Sequence, residues 1–164
     1  MKFLLNNKKI EPLKVLVVGN NPIELSAVLE KLNQIRTRKV ITEIAFDLKT
    51  IFERLTKFQP NFIVIDDNIG QVGLMDVVDT FAANKKTRDV PITVLKNSNY
   101  KESLASSHSM LDYVLKQNLS ADALIHTLKN ALKLKRTQQY LYNAYQRRKK
   151  LIMKLQTRSL NLIS

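Results

Sequence analysis

The sequence contains no cysteine and no tryptophan, only three glycines and four prolines, and no acidic residue after Asp122. Without cysteine there is no disulfide, no thiolate nucleophile and no cysteine-ligated zinc site. With glycine limited to Gly19, Gly70 and Gly73, there is no Gly-rich loop to cradle a nucleotide phosphate, which disfavours a conventional metabolic enzyme. Long apolar runs are missing as well. The opening stretch MKFLLNNKKIEPL has only Phe3, Leu4 and Leu5 in succession, too short for a signal-peptide core or a membrane span. The expectation is a cytoplasmic, non-transmembrane protein. His108 and His126 have no cysteine or second histidine at ligand spacing, so surface or helix-face roles are expected of them. Ser103, Ser106, Ser107 and Ser109 have no base placed to activate them and read as loop and helix-cap residues. No catalytic set emerges, and the chain is not expected to be an enzyme.

Charge is present in excess, but in one place. Seventeen of the 27 Lys and Arg and all fourteen acids lie in residues 1–122, a net +3. The other ten Lys and Arg lie in residues 123–164 with no acid among them, a net +10. The body is nearly balanced; the basicity belongs to the tail.

Along the body, short β-branched runs alternate with helix-period segments. The runs are Val15–Val18, Val40–Phe46, Phe62–Ile65, Ile92–Leu95 and Tyr113–Leu115. Three are almost continuously apolar, as strands covered on both faces are, whereas Val40–Phe46 is mixed and suits an edge. Asn21 can cap a helix that starts at Pro22 and carries Leu25, Val28, Leu29 and Leu32 on one side. Asp47 can cap a second, with Ile51, Leu55 and Phe58 inward, and a third starts near Leu74 with Val77, Val78 and Phe81 inward. A fourth, weaker segment spans Tyr100 to Ser107, and a long last helix starts at a Ser120 cap. Alternation of this kind predicts an α/β fold: a doubly wound five-stranded parallel sheet, order 2-1-3-4-5, with an extended C-terminal helix. The domain reading is an N-terminal extension over 1–13, the α/β domain over 14–134 and a basic amphipathic helical extension over 135–164. In such a sheet the working site lies beyond the carboxyl ends of the strands, here Gly19–Asn21, Asp66–Asn68, Lys96–Ser98 and Lys116–Asn118.

Those strand ends carry a resemblance. QPNFIVIDD resembles the third strand of response-regulator receiver domains, which places Asp66 at the phosphoaccepting position. DVPITVL resembles the approach to their fourth strand end. DYVLK resembles their fifth strand, with Lys116 as the lysine that contacts the phosphoryl group and Tyr113 as the switch aromatic. The match runs from residue 14 to about residue 135, and it implies a two-component signalling module whose partners are a histidine kinase or an output protein. The departures are specific. Where receivers carry an acid pair after the first strand, this chain has Gly19 and Asn20. Lys96 stands where a Ser or Thr is usual, Gln117 follows the lysine in place of Pro, and Gly73 comes one residue early.

Magnesium prefers carboxylate and other oxygen ligands in octahedral geometry, so loss of the acid pair leaves Mg²⁺ bound weakly if at all. Asp66 and Asn68 are the weak candidate ligands. Asp67 is a substitute only if the strand has ended before it, because alternation otherwise points it away from Asp66. Lys96, as a second ammonium beside Lys116, is expected to ion-pair with Asp66 and lower its pKa. The resulting expectation is a degenerate receiver acting by protein–protein interaction. A phosphorylatable regulator using Asp66 with atypical metal ligands is the alternative.

The tail stays helical in pattern from Ser120 to about Leu160, with no Gly or Pro to stop it. A helix of ~40 residues is ~60 Å long, so most of it is expected to extend past the domain. Leu124, Ile125, Leu128, Ala131 and Leu132 form a stripe suited to the sheet. A second seam follows at Leu134, Leu141, Tyr145, Ile152, Leu155 and Leu162, interrupted by Gln138, Arg148 and Ser159. Three uses compete: a homodimer or another protein's helix on the seam, nucleic acid on the basic face, or an anionic surface. The anion-binding candidates are Arg136, Arg147, Arg148, Lys149, Lys150 and Lys154.

Overall fold

The computed structural model describes residues 11–97 and 112–163. The segment Tyr100–Ser107, the serine cluster and His108 lie outside them. Five strands form one parallel sheet: β1 (Leu13–Val18), β2 (Val40–Ala45), β3 (Phe62–Asp66), β4 (Ile92–Lys96) and β5 (Asp112–Leu115). Their spatial order is β2-β1-β3-β4-β5, as the sequence pattern predicts. The described helices are α1 (Pro22–Asn33), α2 (Leu48–Lys57), α3 (Gln71–Ala83) and α4 (Ala121–Asn161).

The strands form where β-branched residues have two apolar faces to fill. Leu16, Val18, Ile63, Ile65 and Val94 point to one face and are fully buried there with Ile51 and Leu55 of α2 and Leu74, Val77, Val78 and Phe81 of α3. Alternation sends Val15, Val17 and Val64 to the opposite face, where they are equally buried. Leu25, Val28 and Leu32 of α1, with Leu124 and Leu128 at the start of α4, are buried too. β2 has one neighbour, and only Ala45 in it is fully buried. This accounts for its mixed composition.

Helix starts follow the polar residues in front of them. The Asn21 side chain accepts from the Ile23 amide at 3.1 Å. Asp47 and Thr50 cap α2 reciprocally, the Thr50 amide donating to Asp47 Oδ1 at 2.7 Å and the Asp47 amide to Thr50 Oγ1 at 3.0 Å. Ser120 Oγ accepts from the Ala123 amide at 3.0 Å. α3 has no side-chain cap; the residue at its N-cap is Gly70, with φ 82° and ψ 163°. That region is almost closed to residues with a Cβ, although the space around a Cβ there is open. Gly70→Ala is therefore expected to cost about 2 kcal/mol through backbone strain alone, read as a lower denaturation midpoint with an unchanged m-value.

The chain divides into two compact units, Met1–Leu128 and Lys129–Ser164, with the boundary inside α4. No helix among the described residues is long and apolar enough to cross a membrane.

Candidate functional site

The parallel sheet brings the ends of β1, β3, β4 and β5 to one edge, since Asp66 is in register with Leu95, and Lys96 with Leu115. Asp66, the last residue of β3, is only 1% exposed. β5 ends at Leu115, and a 3-10 turn from Lys116 to Asn118 turns the Lys116 side chain toward it. Lys116 Nζ lies 2.6 Å from Asp66 Oδ1 and 3.2 Å from Asp67 Oδ1, and it also donates to Glu24 Oε2. One ammonium thus holds three carboxylates, and the four groups together carry a net charge of −2.

Local structure explains why Asp67 and Glu24 reach this pocket. β3 stops at Asp66 and a 3-10 turn starts at Asp67, so strand alternation no longer applies and Asp67 turns inward beside its neighbour. Its Oδ2 accepts the Asn97 amide at 3.0 Å. Glu24 stands in the first turn of α1, where the helix macrodipole favours an anion. Sequence reasoning missed Glu24, and it held Asn97 only within the strand-end segment Lys96–Ser98, with no role. An acid three residues after the Asn21 cap was the available signal for Glu24.

The electrostatics follow from burial and from this one cation. Desolvation pushes the Asp66 carboxyl above its ordinary range, against the opposing pull of Lys116. Glu24 moves down because Lys116 bonds to it. Lys116 is drawn down by desolvation, but the hydrogen bonds to Asp66, Glu24 and Asp67 outweigh it and hold its pKa above the ordinary value. Asp66 Oδ1 also accepts the Asn68 amide at 2.9 Å. Asp66 Oδ2 is buried without a hydrogen-bond partner.

Lys96 behaves differently from expectation. Its ammonium lies over the Tyr113 ring, 5.4 Å from the centroid, and forms no ion pair with Asp66 among the described residues. The expected lowering of the Asp66 pKa gives way to a rise, because burial outweighs the single paired ammonium. Tyr113 is 55% exposed on β5. Its neighbour in register on β4 is Val94, two residues before Lys96, a spacing that puts both side chains on one face.

At the degenerate corner, the Gly19 amide donates to the Ala45 carbonyl at 3.1 Å. A Cβ at Gly19 would sit 2.7 Å from Leu25 Cδ2 and 3.1 Å from the Asp66 Cβ, so a side chain fits there only if the Leu25 side chain shifts and Asp66 gives way slightly. Asn20 directs its amide nitrogen to the Asn68 carbonyl at 3.5 Å, and Asn68 Oδ1 accepts from Asn97 at 2.9 Å. The basic candidates Arg136, Arg147, Arg148, Lys149, Lys150 and Lys154 lie along α4 and are exposed, as is His126.

No protein-family model matches the chain, and no curated protein matches it. Solved structures do. The chemotaxis response regulator CheY4 of Vibrio cholerae has a TM-score of 0.58 at 19% identity, covering 74% of this chain and 99% of its own. The fold is that of response-regulator receivers. The receiver domain of a Pseudomonas aeruginosa sensor histidine kinase, solved with magnesium in its active-site cleft, covers 75% of this chain and 99% of its own at 16% identity and a TM-score of 0.57. A yeast trimeric coiled-coil segment fused to another structure covers 92% of this chain and 99% of its own, at 18% identity and a TM-score of 0.59. In the receiver fold, the Asp66–Lys116 pair stands at the carboxyl edge of the sheet, where such folds place their working sites.

Proposed function

We propose that this protein is a two-component signalling module with a receiver fold that acts without phosphorylation, by binding a histidine kinase or an output protein. The observation that carries the reading is the Lys116 ammonium held by Asp66, Asp67 and Glu24 together. In the receivers it resembles, this lysine contacts the phosphoryl group. Here its donors are already committed to carboxylates, so an incoming phosphoryl group must break contacts that a vacant ammonium would not have.

The residues do not fit a tight magnesium site. Gly19 supplies no side-chain ligand and is crowded by Leu25 and the Asp66 Cβ, the amide oxygen of Asn68 is taken by Asn97, and Lys116 occupies the anionic side of the pocket as its cation. Asp66 Oδ2 and Asp67 Oδ1 are buried without a hydrogen-bond partner, but the Lys116 ammonium already stands against both carboxylates, which leaves a hard divalent ion little to displace its water. The protein is accordingly read as a non-enzyme with no resident cofactor.

Incubation with acetyl phosphate or beryllofluoride, with and without millimolar Mg²⁺, tests this by intact mass and fluorine NMR. The expected result is no adduct on the wild-type chain. A Mg²⁺-dependent adduct that disappears in Asp66→Asn overturns the proposal in favour of a phosphorylatable regulator. The unpartnered Asp66 Oδ2 is the observation that favours that second reading, since it leaves one nucleophilic oxygen free.

A further inference from the structure

From Lys129 onward α4 presents leucines at seven-residue spacing: Leu134, Leu141, Leu155 and, in the closing turn, Leu162, with Arg148 in the middle place of the series. Tyr145 and Ile152 fill intervening places of the same seam, as the a positions of a heptad do when leucine holds d. All are exposed, Leu141 at 60%, Ile152 at 56% and Leu155 at 64%. An exposed apolar strip of this length on a helix, though broken at Gln138, Arg148 and Ser159, signals an interface.

We infer that this strip is the docking site for an acidic heptad helix of another protein. Charge selects the partner. Residues 123–164 hold ten Lys and Arg and no acid, so the same segment of a second copy offers them no carboxylate. In parallel in-register pairing a second copy also sets Arg148 against Arg148 inside the seam, which is a repulsive element. Lys135 and Lys149, each one residue past a d position, flank the strip with the same sign. A nucleic acid would match the basic groups through its phosphates but leave Leu141, Ile152 and Leu155 uncovered. An anionic bilayer would cover the leucines, yet Arg148 interrupts the apolar seam and Lys149 lies at its margin. The surface that satisfies both patterns has apolar residues opposite the strip, a carboxylate facing Arg148 in a paired fork, and acids beside Lys135 and Lys149.

The test uses the full chain and a synthetic four-heptad peptide with Leu and Ile at its seam, Glu at the flanking positions, and one Glu placed opposite Arg148. Fluorescence anisotropy is expected to give micromolar binding that weakens with salt and falls by about tenfold, or 1.4 kcal/mol, in Leu141→Asp and in Ile152→Asp. Arg148→Glu is expected to lose binding to this peptide and recover it with a peptide bearing Arg at the facing place. These exposed substitutions leave the receiver core untouched, and circular dichroism checks that helicity is retained. Absence of peptide binding, or binding indifferent to Arg148→Glu, overturns the inference. So does sedimentation showing that the chain self-associates through the strip at the same concentration. Binding to duplex DNA or phosphatidylglycerol vesicles without peptide binding also rejects it. None of these outcomes depends on whether Asp66 accepts a phosphoryl group.

Discussion

Replacing Lys116 with methionine is expected to cost about 3 kcal/mol of folding stability at neutral pH, the lower end of what removing one partner of a buried ion pair costs. Methionine keeps the length and apolar stem of the side chain but removes the charge, leaving Glu24, Asp66 and Asp67 facing one another. Two considerations hold the figure to the low end. The Glu24 and Asp67 side chains are 32% and 26% exposed, so water relieves part of their repulsion, and Asp66, already raised by burial, can take up a proton. Asp66→Asn is expected to behave quite differently and change stability by no more than about 1 kcal/mol. It reduces the cluster from −2 to −1 while Lys116 keeps Glu24 and Asp67 as partners. Urea denaturation of the two variants beside wild type measures the contrast. Equal losses would mean that the pocket works as an isolated Asp66–Lys116 pair.

The same cluster sets a pH dependence whose signs oppose one another. Glu24 is lowered in the folded chain, so its contribution is full above its ordinary value near 4.5 and is lost as pH falls through the folded value. Asp66 is raised: its ionised form destabilises the fold, and that cost is relieved as pH falls through its folded value toward 3.8. Lys116 is raised, so its contribution is full below about 10.5 and is lost as pH rises through the folded value. Wild type is therefore expected to lose stability in strong alkali. Lys116→Met lacks that loss and regains stability on acidification as Asp66 protonates.

The fold was legible because its evidence is local and repeated. Val15–Val18 and Phe62–Ile65 are apolar on both faces, Val40–Ala45 is mixed because it lies at an edge, and Asn21, Asp47 and Ser120 cap the helices that follow them. The site was legible only along single strands. The strand ends drew attention to Asp66 and Lys116 and the receiver resemblance gave them their roles, but their shared partner Glu24 belongs to a helix, and no strand pattern reports where a helical side chain reaches. The placement of Asp67 turned on one residue of strand length. Lys96 went astray for a reason of balance: proximity in sequence to the strand end suggested an ion pair, whereas its ammonium lies over the face of Tyr113, a cation–π placement.

Gly19→Asp, which returns an acid to the corner that lacks one, is expected to weaken the protein rather than repair it. A Cβ at this position meets Leu25 Cδ2 at 2.7 Å and the Asp66 Cβ at 3.1 Å. Overpacking of this kind costs about 1–3 kcal/mol, and Gly19→Ala isolates that part. The leucine is flexible and can yield; the Asp66 Cβ is anchored to the end of β3 and cannot. The added carboxylate then takes the cluster from −2 to −3 beside a carboxyl that burial already pushes toward its neutral form, for a further cost of about 1–2 kcal/mol that shrinks in acid. Thermal melts of wild type, Gly19→Ala and Gly19→Asp separate the two parts. Millimolar Mg²⁺ is expected to leave the order of their Tm values unchanged, because the Lys116 ammonium still holds Glu24, Asp66 and Asp67. A Mg²⁺-dependent rise confined to Gly19→Asp would instead mean that one added ligand suffices to displace the lysine, and that Gly19 rather than Lys116 is what keeps a divalent ion out.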